Sequence, residues 1–499
     1  MLTLTKARTG ILAIVYVALL AAWCHQISGS IIRDDALGTL IPAVNLVHEG
    51  AYSLNPRPPL APTMYREPVP IALTSIAVAA VDRALGPAEL SDYTSGERAR
   101  YVKLQNILWL TLLCGAAFLA TSYFTGSFAL SVAMALLSYL AFLYPAVRDV
   151  GVDSLYTEMP AAGLLILASW LFATGITRRG WRRLIAAGAC FGLLALTKAM
   201  ALPVFAGSLL LVVLYRTVRP AGTRRRTTLA QVAVLSLSCA AVVAPWIYRN
   251  WIVFQSAQIS ERSGLSVYMR ALFNEVTPDE YRGLFYVWAP RPIRAPMGRL
   301  LGFTPRDLQA DGALIRLVGD GSPFEQSDLQ AQKNGQPEYA VSLVAKARAE
   351  RVKVRKALSS EGLGYRTNLI ADEQMKDRGM QMMQDAPVKA LAGALAGLWR
   401  GALLLIPLLG WAVVHAWRRQ REDLLMFCVP AMGFVVLLAF FSTFEPRYGG
   451  PMTPLAFVAA AAAVAGFSRF RGPARAASAD ALGLPAQGLA PGLEGSGTL

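Results

Sequence analysis

The chain of 499 residues is 55% hydrophobic and only 16% charged, and its mean hydropathy is +0.42. These values exclude an ordinary soluble enzyme and are typical of a protein that crosses a membrane repeatedly. The formal net charge is +16, but much of the lysine and arginine lies in short clusters between apolar segments. Because such clusters set the topology of membrane proteins, we set nucleic acid aside as a partner.

Apolar runs in the sequence predict about ten transmembrane helices, at the usual ~20 residues for each crossing. These runs are residues 10–25, 104–122, 128–145, 155–174, 184–197, 199–215, 229–246, 395–411, 424–441 and 452–467. The sequence therefore predicts an all-α polytopic membrane protein.

Four segments are predicted from the spacing of these runs. Residues 1–249 form an N-terminal transmembrane module with a large first outer loop at 28–101. Residues 250–389 form a small, mainly helical extracytoplasmic region, and residues 390–470 return to the membrane. The segment 471–499 is rich in Gly, Ala and Pro without an apolar period, which predicts a disordered cytoplasmic tail.

The run at 69–81 is short for a crossing, and the positions of the basic clusters decide its interpretation. If it does not cross, Lys6, Arg8 and the arginine clusters at 178–183, 216–226, 418–421 and 469–471 all face the cytoplasm. We therefore predict an interfacial helix on the outer face, with both termini in the cytoplasm.

Polar residues gather at the outer ends of the predicted spans, whereas the span interiors contain almost no ionisable residues. Ion-coupled transporters usually carry charged residues at mid-membrane depth, so this pattern favours chemistry at one membrane face. The adjacent pair Asp34 and Asp35 stands at the start of the first outer loop. From spacing alone, Asp34 is equally well explained as the cap of a helix that begins near Ala36.

Several segments resemble the GT-C class of polytopic glycosyltransferases that use polyprenyl-phosphate sugars. "DDALGTLIPAVNLVHEGAY" resembles the first outer loop of these enzymes. "MYREPVP", "LLALTKAMALP", "APWIYRNW" and "EPRYGGPMTPLAFVAAA" resemble later segments, and they occur in the order found in the family. The most similar groups are bacterial relatives of the protein O-mannosyltransferases and the lipid A aminoarabinose transferases. The resemblance implies a GT-C-like fold with juxtamembrane helices in the first outer loop.

The resemblance also implies a role for individual residues. A base must take the proton of the acceptor hydroxyl, and cations must hold the departing phosphate. Asp34 is implied as the base and Asp35 as its support. The residues implied for binding the donor phosphate are Arg66, Lys198, Arg249, Arg447 and Tyr448. The residue types alone also allow Lys198 to be a snorkelling lysine, and Arg249 and Arg447 to be interfacial anchors.

Glu67 and Asp153 are two further acidic candidates, which would bind the acceptor or a metal ion. In some relatives an acidic residue at the position of Glu67 binds a divalent metal. Here the order is Arg-Glu-Pro instead of the Glu-Lys-Pro of the aminoarabinose transferases, so we assign no metal ligand and leave a divalent ion open. A surface ion pair explains Arg66 and Glu67 equally well.

The function implied is transfer of a sugar from a polyprenyl phosphate to a glycan, lipid or protein acceptor, with inversion. The enzyme would lie in the cytoplasmic (inner) membrane of a bacterium, among membrane lipids, with its active site on the periplasmic or exterior face. The lipid-linked sugar would be its co-substrate. A non-enzymatic lipid-glycan transporter or assembly factor with the same fold is the alternative.

Overall fold

The computed structural model describes residues 5–143, 151–218, 225–319 and 321–469. Within these ranges all regular secondary structure is helical, in agreement with the predicted all-α class. The predicted tail at 471–499 lies outside the described residues.

The helices of the N-terminal half extend from the first predicted span to the end of the seventh. They are α1 (Lys6–Gln26), α2 (Leu37–Glu49), α3 (Pro68–Leu85), α4 (Leu90–Thr94), α5 (Gly96–Lys103), α6 (Asn106–Thr125), α7 (Phe128–Leu140), α8 (Glu158–Arg178), α9 (Trp181–Ala195), α10 (Ala201–Val218) and α11 (Arg225–Phe254).

The remaining helices comprise the extracytoplasmic region and the C-terminal spans. They are α12 (Ser263–Leu272), α13 (Pro278–Val287), α14 (Arg291–Leu301), α15 (Glu325–Asn334), α16 (Leu343–Ser359), α17 (Thr367–Asp385), α18 (Pro387–Ala402), α19 (Leu405–Arg418), α20 (Glu422–Phe441), α21 (Pro446–Gly449) and α22 (Thr453–Arg469).

Within the described ranges, eight helices are long and apolar enough to cross a membrane, or nine if one bent pair counts as a single span. They include α1, α3, α8, α10, α11 and α20, together with the continuous segments Gly96–Thr125 and Pro446–Gly466. The chain is therefore a multi-pass membrane protein.

Three predicted spans differ from simple crossings. Helices α7 and α9 contain 13 and 15 residues, fewer than the ~20 of a straight crossing. The predicted span 395–411 is two helices, because α18 and α19 meet at an angle of 96°. Pro407 lies in the first turn of α19, where its missing N–H costs no hydrogen bond but favours a new helix start.

Helix α3 is longer than the apolar run from which we predicted it. Asp82 and Arg83 do not end the helix, which continues to Leu85, and its 18 residues are long and apolar enough to cross. Asp82 is compensated by His48, whose Nε2 lies 2.8 Å from its carboxylate, and by the Tyr93 hydroxyl. Length and composition thus allow α3 to cross, and its interfacial placement stays a prediction.

Helix α8 lies at the centre of the transmembrane bundle and packs on α6, α9, α20 and α22. Most of its length is buried, and small residues such as Ala161, Ala162 and Gly163 face its neighbours. A Cβ at Gly163 would lie 3.2 Å from the backbone nitrogen of Leu113, so the small side chains allow two helices to approach closely. The first turn of α8 is thereby held at a fixed place beneath the first outer loop.

The extracytoplasmic region is fastened to the transmembrane bundle and to the first loop. The guanidinium of Arg270 donates to the carbonyls of Ala390 at 2.5 Å and Ala439 at 3.3 Å, which ties α12 to α18 and α20. The backbone N–H of Glu261 donates to the carbonyl of Met64 at 3.2 Å. These contacts hold residues 260–262 against the first loop, next to Arg66.

Candidate active site

The pair Asp34 and Asp35 lies in a single 3-10 turn (Asp34–Ala36) that leads into α2. Asp34 has φ +49°, in the left-handed region that residues other than glycine rarely adopt. Upstream, the N–H of Ile32 donates to the carbonyl of Thr94 at 2.7 Å and fixes the approach of the chain. Asp34 is exposed and Asp35 is half-buried, so the turn separates the two carboxylates.

Asp34 does not cap the helix as the spacing would allow. The residue before the 3-10 turn is Arg33 and the residue before α2 is Ala36, and neither position has a side-chain cap. Within the described part of the chain, the Asp34 carboxylate makes no hydrogen bond or ion pair. It is therefore available to a substrate.

Asp35 is surrounded by three arginines. The Nη2 of Arg66 lies 2.5 Å from Oδ1 of Asp35 and also donates to the Asp35 carbonyl at 2.7 Å. The Nη2 of Arg262 lies 3.0 Å from the same Oδ1, and the Nη1 of Arg447 lies 3.2 Å from Oδ2. Although burial raises the pKa of Asp35, the three guanidinium groups outweigh it and hold that pKa well below its usual range. We call these four residues the Asp35 cluster.

The three arginines come from distant parts of the chain. Arg66 lies just before Glu67 and the start of α3, Arg262 immediately precedes α12, and Arg447 lies in α21. Only Arg66 and Arg447 belong to segments with a recognised motif; Arg262 was not predicted, because its region offers no motif or apolar period. Arg447 also pairs with Glu445, whose carboxylate oxygen lies 2.9 Å from its Nε. Three guanidinium groups thus meet two carboxylates, and the positive charge that remains can be shared with an anion.

Gly38, in the "DDALG" segment, makes room for Arg66. A Cβ at this position would lie 2.7 Å from Nε of Arg66, closer than real Cβ contacts. Tyr52, in the "GAY" segment that follows α2, donates its hydroxyl proton to the carbonyl of Arg66 at 2.9 Å. Both motif residues therefore position Arg66 beside Asp35.

Lys198 and Tyr448 lie next to the Asp35 cluster. The Nζ of Lys198 is 3.1 Å from Oε1 of Glu158 and 5.7 Å from the centre of the Tyr448 ring. The Tyr448 hydroxyl accepts a hydrogen bond from Arg447 at 3.3 Å. Lys198 is thus held by a buried carboxylate at the start of α8, a contact that exceeds what a snorkelling lysine requires.

Glu158 received no role from the sequence. It is buried, and its Oε2 has no hydrogen-bond partner in the described part of the chain. An unpartnered buried carboxylate oxygen is costly, so the position is suited to accept a hydrogen bond from a bound molecule.

Tyr156 connects these groups to Asp34. Burial raises the pKa of Tyr156 to about 12; nearby Arg447 lowers it, while the carboxylates of Asp34, Asp35 and Glu158 raise it further. The charges of both Asp34 and Asp35 therefore affect the pKa of this phenol.

Glu67 fastens the first loop to the turn that carries Lys198. Its Oε1 accepts from the backbone N–H of Ala199 at 3.1 Å and from the Ser260 hydroxyl at 3.4 Å. Glu67 therefore does not form the surface ion pair with Arg66 that the sequence allowed, since Arg66 is paired with Asp35.

Arg249 and Asp153 have neighbours other than those expected. Arg249 packs among the rings of Tyr52, Trp246 and Phe254 and donates to the carbonyl of Thr63 at 2.9 Å. These contacts fasten α11 to the first loop, and Arg249 does not reach Asp35.

Asp153 binds the segment that leads from α1 to Asp34. Its carboxylate accepts hydrogen bonds from the hydroxyls of Ser28 and Ser30, each at 2.7 Å, and from buried Lys103 at 3.1 Å. Burial raises the pKa of Asp153, but these hydrogen bonds outweigh it and lower the pKa overall. Its oxygens are therefore engaged in holding this segment.

The carboxylates of Asp35 and Glu67 do not offer a site to a divalent metal ion. The Asp35 carboxylate is enclosed by three guanidinium groups, which would repel a cation, and Glu67 accepts from a backbone N–H. No group of three His, Cys, Asp or Glu residues able to hold a metal occurs in the ranges that the structure describes. We therefore derive no step through a metal.

Comparison with solved structures finds similar folds at low identity. The chain resembles the Archaeoglobus fulgidus oligosaccharyltransferase in complex with Zn and sulfate, with a TM-score of 0.44 and 14% identity over 94% of this chain and 51% of that chain. It also resembles ArnT from Cupriavidus metallidurans bound to undecaprenyl phosphate, with a TM-score of 0.35 and 16% identity over 95% of this chain and 81% of that chain. The chain thus spans about half the length of the oligosaccharyltransferase.

A third neighbour is the archaeal oligosaccharyltransferase AglB from Archaeoglobus fulgidus in complex with an inhibitory peptide and a dolichol-phosphate, with a TM-score of 0.40 and 13% identity over 95% of this chain and 52% of that chain. Comparison with protein-family models found no match, nor did comparison with curated proteins. The neighbours are GT-C glycosyltransferases, the class that the sequence motifs resemble. Because every TM-score is below 0.5, the functional conclusion rests on the residues of the site.

Proposed function

We propose that this protein is a membrane glycosyltransferase that moves a sugar from a polyprenyl-phosphate donor to an acceptor hydroxyl, with Asp34 as the base. The observation that carries this proposal is the Asp35 cluster with a free carboxylate beside it. Three arginines, held together by one carboxylate, form a binding site for a phosphate group. Asp34 is exposed and unpaired one residue away, where a proton acceptor is needed.

The arrangement suits departure of a phosphate from a sugar. As the acceptor oxygen bonds to the anomeric carbon, the bond from that carbon to the phosphate oxygen breaks, and Asp34 takes the hydroxyl proton. The donor phosphate carries one negative charge as a diester and gains a second when it leaves. The positive charge that remains in the Asp35 cluster favours that increase, so it stabilises the transition state more than the bound donor.

Asp35 acts in this proposal as a positioning residue. Without its carboxylate, Arg66, Arg262 and Arg447 would repel one another, because their guanidinium groups converge on one point. With it, they stand close together before the donor arrives, so that little reorganisation is needed on binding. Guanidinium groups can each hold two phosphate oxygens, which makes arginine apt for this task.

Lys198, Tyr448 and Glu158 complete the donor site in this proposal. Lys198 adds a positive charge next to Arg447, and Tyr448 supplies a hydroxyl. The unpartnered Oε2 of Glu158 would accept a hydrogen bond from a hydroxyl of the donor sugar. Arg249, Glu67 and Asp153 would hold the loops that bring these groups together, and none of them would bind substrate.

We place the reaction on the outer face of the cytoplasmic membrane of a bacterium. The basic clusters near the predicted cytoplasmic ends support this orientation. The sugar and the acceptor, which could be a glycan, a lipid or a protein, follow from the shape of the pocket and are left to experiment.

The test compares envelopes made with the wild-type chain, with Asp34→Asn and without the chain, by mass spectrometry of glycolipids and glycoproteins. We expect one sugar-bearing product that requires the wild-type chain and disappears with Asp34→Asn, while the variant is still present in the membrane. An unchanged product level in the variant would refute Asp34 as the base. Movement of a lipid-linked sugar across the membrane with no new glycosidic bond would instead identify a transporter.

A further inference from the structure

Two arginines of α16 lie near the Asp35 cluster and have no hydrogen-bonded or ion-paired partner among the described residues. Arg351 and Arg355 are four residues apart, so they lie one above the other on the same face of the helix. Neither guanidinium forms an ion pair or a hydrogen bond within the described part of the chain, and the Nε of Arg351 is buried. Two neighbouring positive charges thus stand together, with Arg351 half-buried and Arg355 exposed.

Two other basic residues on the same helix, Lys346 and Lys356, have partners within the protein. Lys346 lies 3.3 Å from a carboxylate oxygen of Glu275, and Lys356 donates to the carbonyl of Asn334 at 2.7 Å.

Tyr65 places these arginines next to the proposed catalytic centre. Its ring centre lies 5.9 Å from the guanidinium carbon of Arg351 and 4.9 Å from that of Arg262. Arg262 in turn is 3.0 Å from Asp35. One aromatic ring therefore separates Arg351 from the Asp35 cluster.

The carboxylate of Glu261 interacts electrostatically with both arginines. Its one negative charge does not neutralise their two positive charges. Glu261 is buried, and this burial raises its pKa to about 7, although Arg351 and Arg355 oppose the increase and Asp372 adds to it. Burial likewise lowers the pKa of Arg355, with a further contribution from the charge of Arg351. Near neutral pH, Arg351, Arg355 and Glu261 together therefore have a net positive charge, which a bound anion would neutralise.

We propose that Arg351 and Arg355 bind an anionic group, a carboxylate or a phosphate, that belongs to the acceptor substrate. The proposal rests on the proposed function, since only a transferase brings an acceptor to Asp34. The donor phosphate has its own arginines in the Asp35 cluster, so a second cationic site one ring away serves the other substrate. Paired guanidinium groups can hold several oxygens of one anion, and the half-buried position of Arg351 strengthens the attraction.

The experiment measures binding of labelled sulfate to the full-length protein in nanodiscs of phosphatidylcholine, by equilibrium dialysis. Sulfate keeps its charge from pH 6 to 8. Undecaprenyl phosphate is added in excess to occupy the Asp35 cluster, so that sulfate reports on the second site. The test variant is Arg351→Gln with Arg355→Gln. The matched control, Lys353→Gln with Lys376→Gln, removes the same charge from exposed positions on α16 and α17.

We expect the arginine double variant to lose at least about tenfold in sulfate affinity, because charged hydrogen bonds are removed. The lysine control should bind as the wild type does, and the unfolding temperature of each protein in the absence of sulfate shows that it is folded. Equal sulfate affinity in the wild type and the arginine variant would overturn the proposal.

Nanodiscs of phosphatidylglycerol distinguish the two sources of an anion. Sulfate affinity that is the same in both lipids supports a site for the acceptor, whereas displacement of sulfate by phosphatidylglycerol would overturn that assignment in favour of a lipid headgroup. Sulfate binding requires no sugar transfer. Failure of the proposed function, seen as an active Asp34→Asn variant, is therefore distinguishable from failure of this anion site.

Discussion

Arg262 and Asp35 form an ion pair of 3.0 Å although 227 residues separate them in the chain. This ion pair joins the extracytoplasmic region to the first outer loop at the turn that contains Asp34 and Asp35. It explains why Asp35 is held while Asp34 remains free. The contact therefore gives two residues of identical type different surroundings.

Replacing Asp34 by asparagine should reduce sugar transfer by at least about 100-fold, because the proton acceptor is lost. The side chain is exposed and makes no hydrogen bond or ion pair in the described residues, so the unfolding temperature should stay within error of the wild type. Transfer rates and thermal unfolding of the purified protein measure both effects. Asp92→Asn, an exposed carboxylate in the same loop, is the control and should retain full activity.

Replacing Asp35 by asparagine should act through the arginines. We expect a higher KM for the donor and a loss of stability on the order of 1–3 kcal/mol, since three guanidinium groups lose their shared anion. Because folding lowers the pKa of Asp35, its stabilisation is fully present above the ordinary carboxyl pKa and is lost as the pH falls below about 4.

The stability difference between wild type and Asp35→Asn should therefore be constant from pH 8 to about 5 and shrink in more acid solution. Denaturant unfolding at a series of pH values tests this. A difference that disappears at neutral pH would contradict the role of the Asp35 cluster.

Replacing Gly38 by alanine tests the close approach of Arg66. Alanine favours a helix by about 1 kcal/mol over glycine, so a position with free space would become more stable. Here the added Cβ would lie 2.7 Å from Nε of Arg66 and displace it, so we expect lower stability and lower transfer. Gly115→Ala in α6, where nothing lies within 4 Å of the new Cβ, is the matched control.

Replacing Glu261 by glutamine should stabilise the protein above neutral pH. Folding raises the pKa of Glu261 to about 7, so the folded state retains a proton that the unfolded state loses near pH 4.5. Stability of the wild type therefore decreases as the pH rises from about 4.5 to 7 through this group. The charged groups that act on it are Arg351 and Arg355 of α16 and Asp372 of α17.

The advantage of Glu261→Gln should grow over that interval and reach about 1–3 kcal/mol at pH 8. Unfolding of both proteins at pH 5, 6, 7 and 8 measures it. A difference that does not change with pH would show that Glu261 keeps an ordinary pKa.

A reporter that is active only outside the cytoplasm, fused after Gly86, tests the placement of α3. If α3 is an interfacial helix, the fusion should be active, and a second fusion within residues 216–226 should be inactive. A silent reporter after Gly86 would show that α3 crosses the membrane, as its length and composition allow.

Local properties of the sequence were sufficient for the helical class and for most of the spans. Run length and apolar content predicted α1, α6, α8, α10, α11 and α20, because a crossing requires a continuous apolar segment. The bend of 96° between α18 and α19 was not predicted, since it depends on the packing of both helices against their neighbours.

The candidate site was predicted in part. Motifs predicted five site residues that the structure places in one region: Asp34, Asp35, Arg66, Lys198 and Arg447. Arg249 was named with them but is enclosed by aromatic rings instead. Residue type and position at the end of a span do not predict the direction in which a long side chain points.

The apolar runs and basic clusters of this chain are enough to specify a polytopic helical membrane protein, because burial in lipid depends on the composition of each segment. Segment composition does not show that the Asp35 carboxylate is ion-paired while the Asp34 carboxylate is not. Arg262 could not be found at all, since its partner is 227 residues away. Such contacts arise only when α12, α21 and the first loop pack together, and their geometry is a property of the whole fold.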